Sequence, residues 1–311
     1  MFSALAWIGR HGKYFLIAGL FVGLLAPGLA ETLRPWIGTL VAVLLFVTGV
    51  RVGARQAFGH LSELRPTLVR ISVLQTLLPL VVIAMLAVLG VSHFPMAMAV
   101  SLMLAAPSLT GAPNFAIMMG HDPAPGMRLL VMGTAVFPVT ALPVLLILDP
   151  AGGGIFSAFS LSLGLLAAIL AAVSLGFTVR RFVPNLGDLR AQGALDGCAA
   201  LLLAIVVVGL MSAIGPLLQD DPLALVLWLL AALAVNFVLV FVTLHVSRRA
   251  HLQMAVPTAI YAGNRNIALF LIVLPDEVAA PLMIFVGCYQ VPMYLTPILL
   301  SRLAGEGPQD R

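Results

Sequence analysis

The sequence predicts an all-α membrane protein: ten transmembrane helices in two inverted five-helix repeats, with helices 4 and 9 broken and crossing. Three observations predict this. Sixty-one per cent of the 311 residues are hydrophobic and only 9% are charged, against about 25% charged in a typical soluble chain. The chain is filled by apolar runs on the order of the 20 residues that a helix needs to span a bilayer. Two of these runs are interrupted by polar and helix-breaking residues at corresponding places in the two halves.

The runs fall at 14–30, 35–52, 68–90, 95–120, 128–148, 155–179, 196–215, 222–246, 252–275 and 278–303, bounded by charge or by Pro and Gly. Ten crossings sort the basic residues sharply. Fourteen of the sixteen Lys and Arg, from Arg10 and Lys13 to Arg302 and Arg311, fall on one side. The other side has only Arg34 and instead gathers Glu31, Asp149, Asp220, Asp221, Asp276 and Glu277; Arg265 is left within the membrane. A missed span would scramble this sorting. The positive-inside rule then places both termini in the cytoplasm, and the expected location is the cell inner membrane. The net charge of +4 is therefore a topology signal, and no nucleic-acid partner is expected.

Residues 10–31, RHGKYFLIAGLFVGLLAPGLAE, also have the form of a signal peptide, with small residues before Glu31. The parity of the crossings favours a retained first helix. Cys198 and Cys288 both lie in apolar runs, so no disulfide framework is expected.

The two halves repeat. FPVTALPVLL (137–146) and VPMYLTPILL (291–300) share a Pro, four residues, a second Pro and an apolar tail. Pro138 and Pro292, and Pro143 and Pro297, are each 154 positions apart. Upstream, PSLTGAPN (107–114) parallels PTAIYAGNRN (257–266), with Asn114 and Asn266 152 apart. The repeats then cover 12–148 and 155–303, five helices each. An odd number of helices per repeat inverts the second, the plan of secondary transporters with sites at paired broken helices near the midplane.

The fourth run carries Ser108, Thr110, Gly111, Pro113 and Asn114. Pro107 and Pro113 each remove a helical N–H and free a carbonyl upstream. The ninth run carries Tyr261, Gly263, Asn264, Arg265 and Asn266. An Arg near the bilayer centre costs about 2.5–3.5 kcal/mol on insertion scales, and Gly and Asn are poor helix formers. Such a cluster persists where the helix breaks and lines a protein-enclosed cavity. Freed carbonyls and helix C-termini suit cations, and half-helix N-termini suit anions. The plainer reading is two kinked helices with satisfied polar groups; the paired placement argues against it. No acidic residue lies at the depth of Arg265.

Secondary candidates are Thr134 and Thr140 in the fifth run and Tyr294 and Thr296 in the tenth, with helix packing as their alternative. Asn236 and His245 lie in the eighth run, and Asp122 and Asp196 are expected to be solvated near helix ends. Met103, Met118, Met119 and Met132 suit either an adaptable pocket or ordinary core packing. Hydrolysis or group transfer needs paired acids, a metal cluster or an activated nucleophile. The acids here fall in loops and no HExxH occurs, so neither an enzyme nor a cofactor is expected.

With these residues in view, nearly the whole chain resembles the bile acid:sodium symporter family. In that family the fourth helix carries a Pro-Gly-Gly-Thr-Ala-Ser-Asn type of stretch, matched here by Pro107-Ser108-Leu109-Thr110-Gly111-Ala112-Pro113-Asn114. The ninth carries a Glu-x-Gly-x-Gln-Asn type, matched by Tyr261-Ala262-Gly263-Asn264-Arg265-Asn266. The third carries a Gln a few residues before a Pro, matched by Gln75 and Pro79. The resemblance implies a core of helices 3–5 and 8–10 and a panel of helices 1, 2, 6 and 7. A small or amphipathic organic anion would bind between them, beside the crossing, and move by alternating access. The candidate binding residues are Gln75, Thr110, Pro113, Asn114, Thr134, Tyr261, Gly263, Asn264, Arg265 and Asn266.

The departures carry information too. In the family two sodium ions sit at the crossing and the ninth-helix Glu serves both. Here Tyr261 stands for that Glu, Arg265 for the Gln, and Pro113 for the Ser before the Asn. A hard cation wants oxygen ligands, preferably a carboxylate. Two sodium ions and one carboxylate carry one net positive charge, and so does a lone guanidinium. The expectation is that the sodium sites are degenerate, with Arg265 standing in a sodium position and bonding Gln75, Asn114 or freed carbonyls. Two competing roles are direct pairing with a substrate carboxylate or phosphate, and a purely structural Arg. Beyond symporters, auxin-efflux carriers and arsenite exporters share the broken-helix plan, although thiolate ligation of arsenite would want a Cys at the fourth-helix crossing. A non-transporting receptor or channel is the remaining alternative.

Overall fold

The computed structural model describes residues 2–58, 64–109, 111–112, 115–116, 121–122, 124–250 and 254–304. Thr110, Pro113, Asn114, Met118 and Met119 lie outside the described residues. The described residues are all-helical, with no β-strand. In chain order the helices are α1 Phe2–Arg10, α2 Gly12–Leu25, α3 Pro27–Leu33, α4 Ile37–Phe58 and α5 Leu64–Ser72. A π-helical turn, Val73–Leu77, leads into α6 Leu78–Val88 and then α7 Pro95–Ala105. There follow α8 Ala124–Leu148, α9 Gly154–Phe182, α10 Leu189–Asp220 and α11 Pro222–Arg249. The described chain closes with α12 Ala255–Gly263, a 3-10 segment Ile267–Ile272 and α13 Asp276–Ala304.

Among the described residues, seven helical stretches are long and apolar enough to cross a membrane, and two shorter apolar helices, Tyr14–Leu25 and Pro95–Ala105, accompany them. The chain thus builds a helical membrane protein. The three expected spans missing from the long set are shortened by local chemistry. The first stops at Ala26 (φ −124°, ψ 70°), because a residue before Pro is pushed out of the α region. The fourth stops at Ala105, ahead of Pro107, and the ninth stops at Gly263. A short helix not anticipated from the apolar pattern, α1, precedes the first span.

The chain folds as two compact units, each discontinuous in sequence. The first comprises residues 1–61, 163–225 and 268–287. Here α10 packs along α1, α2, α3 and α4. Glycines set the spacing: a Cβ on Gly197 would lie 1.9 Å from the Leu5 carbonyl oxygen, and one on Gly19 2.7 Å from that of Ala204. Small residues allow this close backbone approach within a bilayer. α4 is interrupted at Gly53, whose φ of 68° suits glycine. Nearby, Arg180 Nη1 donates to the carbonyls of Val50, Arg51 and Leu186 at 3.1, 3.2 and 3.0 Å. Asp196, expected to be solvated, is instead half-buried in α10 and 2.8 Å from Arg51 Nε. The 3-10 segment and the first half of α13 belong to this unit, whereas the resemblance implies a ninth and tenth helix wholly within the core. Gly38 shows why: a Cβ there would sit 2.8 Å from the Leu271 carbonyl oxygen, so the segment lies directly on the start of α4.

The second unit comprises residues 62–162, 226–267 and 288–311. It holds α5 to α8, α12, nearly all of α11 and the last part of α13. Ser162 Oγ ties α9 to α8 by donating to the Pro138 carbonyl at 2.7 Å.

The turn between α8 and α9 is pinned by one carboxylate. Asp149 has a φ of 40°, and its oxygens accept from Gly153 N, Gly154 N and Ser157 Oγ at 2.9–3.1 Å. The Gly154 N–H, followed by the Ser157 hydroxyl, holds this carboxyl below its ordinary value of 3.8. A carboxyl whose pKa is lower folded than unfolded stabilises the fold above the unfolded value, and loses that contribution as pH falls through the folded one. The melting temperature is therefore expected to fall as pH drops below about 4, with Asp149→Asn showing a shallower acid limb. A thermal-melt series against pH on both proteins checks this.

Candidate functional site

The breaks in both interrupted spans lie in the second unit, and the spans meet there through their backbones. Beyond α7 the chain is extended at Ala106 (φ −66°, ψ 151°), and beyond α12 it is extended at Asn264 (φ −115°, ψ 90°). The two extended pieces pair antiparallel at Ser108 and Arg265. Leu109 N donates to the Asn264 carbonyl at 2.9 Å, and Asn266 N donates to the Pro107 carbonyl at 2.7 Å. Backbone polar groups inside a bilayer need internal partners, and each interrupted span supplies the other's.

Arg265 fills the junction. Its side chain is 1% exposed, and among the described residues no carboxylate pairs with it. Three backbone carbonyls surround the guanidinium instead: Nε donates to Ala262 O at 2.8 Å, Nη1 to Ala106 O at 2.9 Å and Nη2 to Leu74 O at 3.1 Å. The Tyr261 ring covers one face, 4.9 Å from centroid to Cζ, a cation–π contact.

Each of these carbonyls is free for a local reason. In the π turn, Leu78 N bonds Val73 O rather than Leu74 O. The next residue, Pro79, has no N–H to offer Leu74 O. Ala106 lies past the last turn of α7, ahead of Pro107. The Ala262 carbonyl would be capped four residues on by Asn266 N, which has turned away to Pro107. The site therefore gathers the carbonyl ends of α7 and α12. A helix C-terminus carries roughly half a negative charge, so two of them supply about the one negative charge that a buried guanidinium needs. This is how the site does without an acid.

A second layer holds the break itself. Asn236 Nδ2 and the Tyr289 hydroxyl both donate to the Gly263 carbonyl. Asn236 Oδ1 accepts from Thr296 Oγ1 at 2.9 Å, and the Tyr289 oxygen accepts from Arg265 N at 3.4 Å. On the far side of Tyr261, Gln75 Nε2 donates to the Gly133 carbonyl at 3.5 Å, and Thr140 Oγ1 donates to Gln75 Oε1 at 3.3 Å. Gly133 lacks a side chain where one would collide: its Cβ would be 2.6 Å from the Tyr261 oxygen.

The structure thus draws Tyr261, Gly263, Asn264, Arg265 and Asn266 into one junction, with Gln75 behind Tyr261. Gln75 is not an Arg265 partner; the carbonyl of its neighbour Leu74 is. Thr134 is buried on α8 next to Gly133, and Pro138 cannot donate to the Thr134 carbonyl. Met103 is fully buried on α7. Three buried oxygens on α12 and the residue that follows it have no hydrogen-bond partner among the described residues: Thr258 Oγ1, the Tyr261 hydroxyl and Asn264 Oδ1. Buried polar groups left this way are the exception in folded proteins.

No protein-family model matches the chain, and no curated protein matches it.

Proposed function

We propose that this chain is a secondary transporter of a small or amphipathic organic anion, in which Arg265 permanently supplies the positive charge that sodium ions supply in the bile acid:sodium symporters it resembles. The observation that carries this is the guanidinium held by three freed carbonyls, two at converging helix ends and one in the π turn, with no carboxylate among the described residues. Freed carbonyls at a helix break are what a transported or coupling cation would otherwise occupy.

The other features agree with it. Each compact unit draws helices from both halves of the chain, 1–61 with 163–225 and 62–162 with 226–267. Two repeats over 12–148 and 155–303, inverted within ten spans and with both termini cytoplasmic, would produce that interleaving. The units then correspond to a panel and a core, the core carrying the crossing. Direct pairing of Arg265 with substrate is less favoured, since each of its nitrogens already donates to a backbone carbonyl. Its fixed charge still biases the core toward anions, and the unpaired Thr258, Tyr261 and Asn264 oxygens offer further polar contacts.

Reconstituted protein is expected to take up an organic anion saturably, with taurocholate and short-chain keto acids as the first probes. The rate should be unchanged when sodium is replaced by choline. A strong sodium requirement would remove the surrogate role. Binding of these anions without uptake would instead favour a receptor.

A further inference from the structure

Away from the crossing, the first unit contains a cavity of about 580 Å³ lined by residues from the start of α4, the 3-10 segment and the first turns of α13. That volume falls in the range of roughly 300–1,000 Å³ typical of small-molecule sites. Its lining is mixed, with Ile37, Ile272, Leu274 and Met283 beside Thr39. Two opposite charges line it, Arg34 and Asp276. Their side chains have no hydrogen-bond or ion-pair partner among the described residues, each other included.

Asp276 opens α13, where a helix N-terminus favours a negative charge. Arg34 lies inside the continuous helical stretch Pro27–Gly53, so no helix end accounts for it. Nor does a helix end explain why two opposite charges border one cavity without pairing with each other, or why Arg34 is the one basic residue that the charge pattern places on this side of the membrane.

We propose that this cavity binds an amphoteric organic acid, with its carboxylate on the Arg34 guanidinium, its ammonium on the Asp276 carboxylate and its apolar body against the Ile272, Leu274 and Met283 wall. On the topology read from the charge pattern, the ligand arrives from the side opposite the termini. The inference is independent of Arg265 and of transport.

Thermal melts of the purified full chain, titrated with phenylalanine, 3-phenylpropanoate and phenethylamine, test it. These probes share the apolar body and carry both charges, only the anion and only the cation. Phenylalanine is expected to give a saturable rise in melting temperature at concentrations about tenfold below either single-charge probe. Arg34→Gln should weaken phenylalanine about tenfold and leave phenethylamine unchanged, while Asp276→Asn should weaken phenylalanine and leave 3-phenylpropanoate unchanged. Both positions are exposed, so the ligand-free melting temperature of each variant should match wild type. No saturable response to phenylalanine, or an equal response to 3-phenylpropanoate, overturns the proposal using wild type alone. Because no gradient or uptake is involved, failure here leaves the Arg265 reading intact, and failure of transport leaves this cavity intact.

Discussion

Arg265→Met is expected to lower the unfolding free energy by about 2–4 kcal/mol. Met fills similar space and needs no partners, so the change isolates the donors. Leu74, Ala106 and Ala262 lose the groups that satisfy their carbonyls, and each orphaned buried carbonyl costs about 1–3 kcal/mol. Relief from burying a charge offsets about 2.5–3.5 kcal/mol of that on insertion scales. The loss of donors wins because the helix ends already balance the charge. Arg265→Lys should recover less than half, since an ammonium cannot reach three divergent carbonyls as a planar fork does. Denaturation in detergent measures all three proteins. The stronger arm is Tyr261→Glu with Arg265→Gln, which introduces a carboxylate and frees the guanidinium's space. That pair should gain sodium-dependent stability, about 2.7 kcal/mol at a hundredfold excess over Kd, while wild type stays flat between sodium and choline. An Arg265→Met protein as stable as wild type would show that the carbonyls do not depend on the guanidinium.

The same carbonyls show what the sequence could and could not reveal. The ninth-span break was legible, because Gly263, Asn264, Arg265 and Asn266 combine poor helix propensity with a charge at depth. Pro107 marked the matching break in the fourth. The bonding partners of Arg265 were less visible. Pro79 hints that an upstream carbonyl is free, but which one depends on the π turn, and a one-residue register change leaves no mark on composition. Tyr289 went unnoticed, because a lone Tyr in an apolar span reads equally as packing or interface. Asn236 was visible as a buried amide without a role; its partners, Gly263 and Thr296, are 27 and 60 residues away. Asp196 was misread for the same reason: its cation, Arg51, lies on a distant helix. Local chemistry is written locally, whereas pairings made by packing are not.

Gly263→Ala is the second large effect, and its sign is not obvious beforehand. Gly263 is helical, so Ala would favour the helix by about 1 kcal/mol. The added methyl, however, would lie 2.1 Å from Val240 Cγ2 and 3.0 Å from the Asn236 carbonyl oxygen. Val240 is buried and β-branched, with one strongly preferred rotamer in a helix. Asn236 O is backbone, so relief requires α11 and the end of α12 to separate. That movement pulls the Gly263 carbonyl from Asn236 Nδ2 and the Tyr289 hydroxyl, the contacts that hold the break beside Arg265. Overpacking of this kind costs about 1–3 kcal/mol, so the net effect is destabilising. Val240→Ala removes the colliding methyl at its own cost of about 1–2.5 kcal/mol. If the collision sets the effect, Gly263→Ala with Val240→Ala should be more stable than the two separate losses imply, by at least about 1 kcal/mol of coupling. Simple addition would mean that the methyl acts through backbone conformation, and that the packing of α11 on the helix break does not govern the junction.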